Sequence, residues 1–143
     1  VIMAQIGLVQ MKRYPSMLQR RKEIIEQYDA ALSKEGIEVL NHYDNDHRSS
    51  GHLYITRIPN ISLEQRQAII EQMAECGIAT NVHYKPLPMM TAYKNLGFDI
   101  ANFPNAYARF ANEITLPLHT KLTSEEIEYI IDNYIRITKQ FMQ

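Results

Sequence analysis

Apolar residues recur at helical spacing twice before residue 35. Ile2, Ile6, Leu8 and Val9 mark a first stretch, which predicts an amphipathic helix already under way where the chain opens at Val1. Pro15 and Ser16 are expected to interrupt or kink it. From Ser16 to Glu35 a second stretch puts Met17, Ile24, Ile25, Tyr28, Ala31 and Leu32 on one face, with Arg20, Arg21, Lys22, Glu23 and Glu26 opposite. That run mixes both signs and reads as a solvated helix face. Gly36 supplies a left-handed stop.

The pattern then changes period. Ile37–Leu40 reads as a short strand, and the polar residues 41–51 as a surface turn. His52–Ile58 alternates, with Leu53 and Ile55 on one face and Tyr54, Thr56 and Ile58 on the other, and ends at Pro59-Asn60. Ser62 and Gln65 form a capping box that opens a helix ending at Cys76-Gly77. Ile78–Tyr84 reads as another strand. Pro86 and Pro88 exclude both helix and ladder after it. Short helices are expected at Met90–Leu96 and Asn105–Asn112, and a strand at Ile114–Leu118 broken by Pro117. A second capping box, Thr123 with Glu126, opens a last helix whose apolar face is Ile127, Ile130, Ile131, Tyr134 and Ile137. This order predicts a small α/β or α+β fold, with helices packed on a three- or four-stranded sheet.

Composition narrows the classes. The chain has 143 residues, 45% hydrophobic and 22% charged, which suits one globular domain. Fifteen basic against sixteen acidic side chains leave a net charge of -1. There is no basic excess to drive nucleic-acid binding. No run approaches the ~20 apolar residues of a membrane span. A single cysteine, Cys76, points to a reducing, cytoplasmic compartment, with the thiol expected to be a small buried hydrophobe. Ser, Thr, Asp and Asn are all missing from positions 1–10, so the first helix has no start signal and the chain is expected to be part of something longer.

One region concentrates chemistry. Asn81, His83 and Lys85 alternate along the expected strand, on the face opposite Tyr84, and run into Lys85-Pro86-Leu87-Pro88. Polar groups at a strand end held by a stiff turn suit a polar or anionic ligand. His119 closes a second such segment, Leu116-Pro117-Leu118-His119. By spacing alone, both histidines read more readily as ordinary surface or hydrogen-bonded groups. The five histidines and one cysteine lack the short paired spacing of a zinc site, so no metal is expected. Nucleotide-loop, metalloprotease and nucleophile-elbow signatures are absent.

Taken together, Ala4–Leu32, then GHLYITRI, then R-x(10)-G-I-x-T-x-V-H-Y-x-P-L from Arg66 to Leu87, then LPLHTKLTSEEIEYII resemble the DegT/DnrJ/StrS family of sugar-nucleotide aminotransferases, in that family's order and over essentially the whole chain. The resemblance implies a C-terminal fragment of a fold type I pyridoxal-phosphate enzyme. Residues 1–35 would be the helical connection from a large cofactor domain, and residues 36–143 the small domain. It implies a homodimer that converts a keto nucleotide-sugar to an amino sugar, with glutamate as donor. The Schiff-base lysine would lie upstream of Val1, because none of the seven lysines here stands in a matching motif. The fragment would therefore be inactive alone, hold no catalytic residue and bind no cofactor by itself. His83 and Tyr84 map onto the family's substrate wall, with Asn81, Lys85 and His119 as further substrate-binding candidates. Pro88 replaces a histidine of the family pattern. Two alternatives stand beside this: a dehydrase of the same family that lacks the lysine, and a free-standing ligand-binding or dimerisation module.

Overall fold

The computed structural model describes residues 2–142. Val1, upstream of which the family resemblance puts the Schiff-base lysine, lies outside the described residues, as does Gln143. The elements are α1 (Ile2–Leu32), β1 (Glu38–Val39), β2 (Tyr54–Arg57), α2 (Leu63–Glu75), α3 (Thr91–Asn95), α4 (Pro104–Ala111), β3 (Glu113–Leu116) and α5 (Ser124–Thr138). Three-residue 3-10 turns stand at Ser33–Glu35, Leu87–Met89 and Ile100–Asn102. The three strands form one antiparallel sheet in the order β1-β2-β3. Tyr54 lies opposite Leu116, and Thr56 opposite Ile114. These four, with Ile58, are buried beneath α1, α2 and α5. Ile55, Arg57, Glu113 and Thr115 point to the sheet's other face, as strand alternation requires.

Both capping boxes form. Ser62 Oγ accepts from the Gln65 backbone N–H at 3.2 Å and the Gln65 side chain accepts from Ser62 N–H at 2.7 Å. Thr123 and Glu126 repeat the exchange at 3.2 and 2.8 Å. Two orphan donors are satisfied at each helix start, and the first turns are set before any packing. The apolar face of α5 then closes on Ile24, Ile25, Tyr28 and Leu32 of α1 and on Ile69 and Met73 of α2 in a single core.

Several expectations are corrected. Pro15 does not end the first helix, which runs unbroken for 31 residues. The Met11 carbonyl that Pro15 cannot serve lies on an exposed stretch open to water, and the Ser16 hydroxyl returns a bond to Arg13 O at 2.8 Å. The charged face of that helix is not wholly solvated. Arg20 donates to Leu122 O at 2.6 Å and Arg21 to Ser50 O at 3.2 Å, tying α1 to the loops before α5 and β2. Cys76 is half-buried rather than enclosed, and its Sγ accepts from Arg136 at 3.4 Å.

The largest correction is at Ile78–Tyr84, which is not a strand. Asn81 alone bridges to Thr115, through bonds of 3.1 and 2.8 Å. The ladder stops because Asn81 Oδ1 captures Val82 N–H at 2.8 Å and the next donor, His83 N–H, goes to the Glu113 carboxylate at 2.9 Å. Side-chain acceptors have replaced the main-chain partners that a fourth strand needs.

The loop before β2 is pinned from inside. Gly51 adopts φ 59°, and a Cβ there would stand 3.0 Å from Ile25 Cδ1 and 3.2 Å from Arg21 Cβ, so only glycine lets the loop press on α1. His42 is buried, stacked 5.8 Å from the Tyr54 ring, and its Nε2 has no hydrogen-bond partner. Burial holds this imidazole below its ordinary pKa of 6.5; Asp29 pulls it partly back up and His47 pushes it down. The unfolded chain therefore takes up the proton first as pH falls, so His42's contribution is complete above about pH 6.5 and is lost progressively below it. Thermal melts from about pH 7.5 to about pH 5 should show a decline that is shallower in His42→Phe. Parallel curves for the two proteins would remove His42 as the cause.

Candidate functional site

A cleft of about 340 Å³ opens on the face of the sheet that the long helices leave free. Its floor is Ile55 and Arg57 of β2 with Glu113 of β3; its walls are His83, Tyr84 and Pro86 on one side and Ala106, Arg109 and Phe110 of α4 on the other. Pro104 at the first turn of α4 starts that helix where a missing N–H costs nothing. Pro86 stiffens the opposite wall.

The polar groups are held at both ends. Glu113 is buried, and its two carboxylate oxygens take the His83 backbone N–H at 2.9 Å and the Thr115 hydroxyl. Thr115 Oγ1 in turn lies 2.9 Å from His83 Nδ1. The His83 and Tyr84 rings meet edge to face, with centroids 4.6 Å apart. Arg57 is fixed by Glu38 at 2.8 Å and Asn112 at 3.2 Å. Behind the cleft, buried Arg66 donates to Phe110 O at 2.7 Å and lies 4.5 Å over the Phe110 ring. Burial lowers the Arg66 guanidinium from its ordinary value, and the Glu113 carboxylate offsets part of that. Arg109 has no ion-pair partner among the described residues. The cleft thus offers one braced and one free guanidinium, an oriented imidazole and a phenol that is 72% exposed. Two forks for phosphate or carboxylate, beside a ring suited to a sugar face, make it a site for a large anionic ligand bearing hydroxyls.

The five expected site residues are not all brought together. His83 and Tyr84 line the cleft jointly, although strict alternation would have placed them on opposite faces. Asn81 bridges Thr115 through its main chain, its Oδ1 is taken by the Val82 N–H and it does not line the cleft, and Lys85 is exposed beyond the rim. His119 lies in a different hollow, with Ile78, Leu122 and Tyr129. Arg57, Arg109 and Glu113 escaped the sequence analysis. Arg57 carried a usable signal: in His52–Ile58 it shares the Ile55 face, the one opposite Tyr54 and Thr56. Arg109 and Glu113 carried none, because only tertiary packing sets α4 against the sheet.

All seven lysines are solvent-exposed, and none lines the cleft. No group of three or more His, Cys, Asp or Glu able to hold a metal occurs among the described residues. No helix among them is long and apolar enough to cross a membrane.

Comparison with known proteins gives this arrangement a lineage. The chain is 28% identical over 141 residues to the spore coat polysaccharide biosynthesis protein SpsC of Bacillus subtilis, covering 96% of this chain and 36% of that protein. It is 29% identical over 140 residues to the UDP-4-amino-4,6-dideoxy-N-acetyl-beta-L-altrosamine transaminase of Helicobacter pylori, covering 98% of this chain and 37% of that one. The PLP-form structure of Spr1654, assigned as a sugar aminotransferase of Streptococcus pneumoniae, superposes with a TM-score of 0.94 at 56% identity over 99% of this chain and 36% of its own. The chain spans about a third of the length of these relatives. A family profile matches residues 1–134 from the first helix into α5, with the three-stranded sheet and both walls of the cleft inside it, and the chain belongs to the DegT/DnrJ/EryC1/StrS aminotransferase family.

Proposed function

We propose that this chain is the C-terminal portion of a pyridoxal-phosphate-dependent aminotransferase that converts a keto nucleotide-sugar to an amino sugar with glutamate as donor, and that its cleft forms the nucleotide-sugar wall of that site. The observation that carries this is the gathering of His83, Tyr84, Arg57 and Arg109 around one cleft in a member of this family. Arg109 and Arg57 suit the diphosphate, and His83 and Tyr84 the sugar. In this division residues 1–35 connect to a large domain and residues 36–143 form the small one. The cofactor, when bound to the longer enzyme, acts as the electron sink. No lysine of this chain lines the cleft, so in this reading the covalent attachment comes from the rest of the longer enzyme.

Homodimerisation belongs to the same proposal. The segment beyond the cleft exposes Leu87, Met90, Leu96, Phe98, Phe103 and Tyr107 around a wholly apolar hollow, and the N-terminal half of α1 exposes Ile2, Ile6, Leu8 and Val9. Surfaces of this kind are covered in working assemblies. One cysteine and the chemistry of nucleotide-sugars suit the cytoplasm.

Titrating the labelled chain with a UDP- or dTDP-linked hexose, followed by NMR, tests the site. Resonances of His83, Tyr84, Arg57 and Arg109 should move together and saturate. Shifts confined to the hollow around His119, or no shifts at millimolar ligand, would overturn the assignment.

A further inference from the structure

We infer that Glu113 and Thr115 are positioning residues that set the tautomer of His83, holding its neutral ring with the proton on Nδ1 and leaving Nε2 as a hydrogen-bond acceptor open to the ligand. The inference follows from counting protons. An ionised carboxylate can only accept, so in the contact between Thr115 and Glu113 Oε1 the single hydroxyl proton belongs to the bond toward Glu113. Thr115 Oγ1 then has only lone pairs to offer to His83 Nδ1, 2.9 Å away, and the ring must supply the hydrogen. The other carboxylate oxygen accepts the His83 backbone N–H at 2.9 Å, so a single buried side chain fixes this residue at its main chain and, through Thr115, at its ring. Arg66, buried behind the cleft, is the positive charge coupled to this carboxylate.

The fold makes the relay possible. Glu113 and Thr115 are two apart on β3 and share one face. The bridge between Asn81 and Thr115 brings the 81–83 segment to the free edge of β3 and then lets it go, so that His83 N–H is free to meet a side chain. The neutral ring, so wired, accepts from a ligand hydroxyl and cannot donate from Nε2 to a phosphate oxygen. That consequence rests on the proposed nucleotide-sugar site; the tautomer itself does not, and its test needs no ligand.

Long-range proton–nitrogen NMR of the labelled chain, well above about pH 6.5 where imidazoles are neutral, reads the tautomer directly. His83 should show a protonated Nδ1 and a bare Nε2. Thr115→Val should move it toward the Nε2–H form that free histidine favours in water, and Thr115→Ser should restore the wild-type pattern. Glu113→Gln should invert it. The glutamine carbonyl must take His83 N–H, its amide then donates to Thr115 Oγ1, and the threonine proton turns to Nδ1. A wild-type ring protonated on Nε2 would place the relay proton on Glu113 and overturn the inference. So would a Thr115→Val ring that keeps Nδ1–H, or a folded Glu113→Gln that leaves the tautomer unchanged. Should Glu113→Gln fail to fold, the wild type with Thr115→Val and Thr115→Ser decides the question.

Discussion

His83→Ala, in this chain joined to a large domain of the family, should slow the nucleotide-sugar half-reaction on the order of 10–100-fold and leave the glutamate half-reaction nearly unchanged. A ligand hydroxyl left without its acceptor in the bound complex costs about 1–3 kcal/mol, and that sets the range. The asymmetry follows from where the ring stands. His83 is in the wall of an open cleft facing Arg57 and Arg109, where a long anionic substrate would lie along it. Glutamate is compact and need not touch this wall. The ring is only half-buried, so its loss should cost the fold little. Single-turnover measurement of each half-reaction separates the cases. Equal losses in both would mean that His83 serves the fold or the cofactor, and the substrate assignment would be withdrawn.

Ile114→Ala should do the reverse, destabilising the chain by about 2–5 kcal/mol while leaving the cleft's ligand contacts in place. Ile114 is fully buried on the helix-covered face of β3, opposite Thr56, among residues of the single core. Truncation leaves a cavity that close-packed neighbours fill only partly. Its backbone carbonyl still accepts from Thr56 Oγ1, whose own oxygen meets Tyr134 at 2.6 Å, so the polar network inside the core survives. Glu113 and Thr115 face the other way. Urea melts should show a lower midpoint with the slope unchanged, and the nucleotide-sugar NMR titration should still shift the cleft residues. A loss below about 1 kcal/mol would mean that the site collapses around the missing methylenes and that β3 is less rigid than its burial implies.

The two substitutions divide one short strand and its neighbour into core and site, and that division was only half legible in the sequence. Alternation in His52–Ile58 separated the two sides of β2, Leu53 and Ile55 from Tyr54, Thr56 and Ile58, but not which of them would be covered. Nothing comparable marked β3. All four of its residues are buried, one of them a glutamate, because one face meets the helices and the other meets the 81–86 segment and α4. A carboxylate in such a strand reads as solvent-facing until the tertiary structure shows its partners. The same partners explain the missing fourth strand. Ile78–Tyr84 has a strand's composition, yet Asn81 Oδ1 takes the Val82 N–H and Glu113 the His83 N–H, and a competitor as distant as Glu113 leaves no local trace.

What the sequence by itself determined is whatever depends on neighbours within a turn or two: both capping boxes, the left-handed stop at Gly36, the amphipathic faces of α1 and α5, and the register of alternation in β2. These rest on bonds and packing faces that recur at short spacing, so local pattern carries them. The motifs around His83 and Tyr84 also named the family, because their order along the chain survives without any structure. Only the tertiary structure decided that Pro15 leaves its helix whole, that Arg20 and Arg21 tie loops to α1, and that His119 stands apart from His83. It alone brought Arg57, Arg109 and Glu113 to the cleft. Apart from Pro15, where exposure to water decides, each of those outcomes is set by a partner tens of residues away, and the energy of a buried hydrogen bond or a shielded charge depends on which groups the fold places beside it.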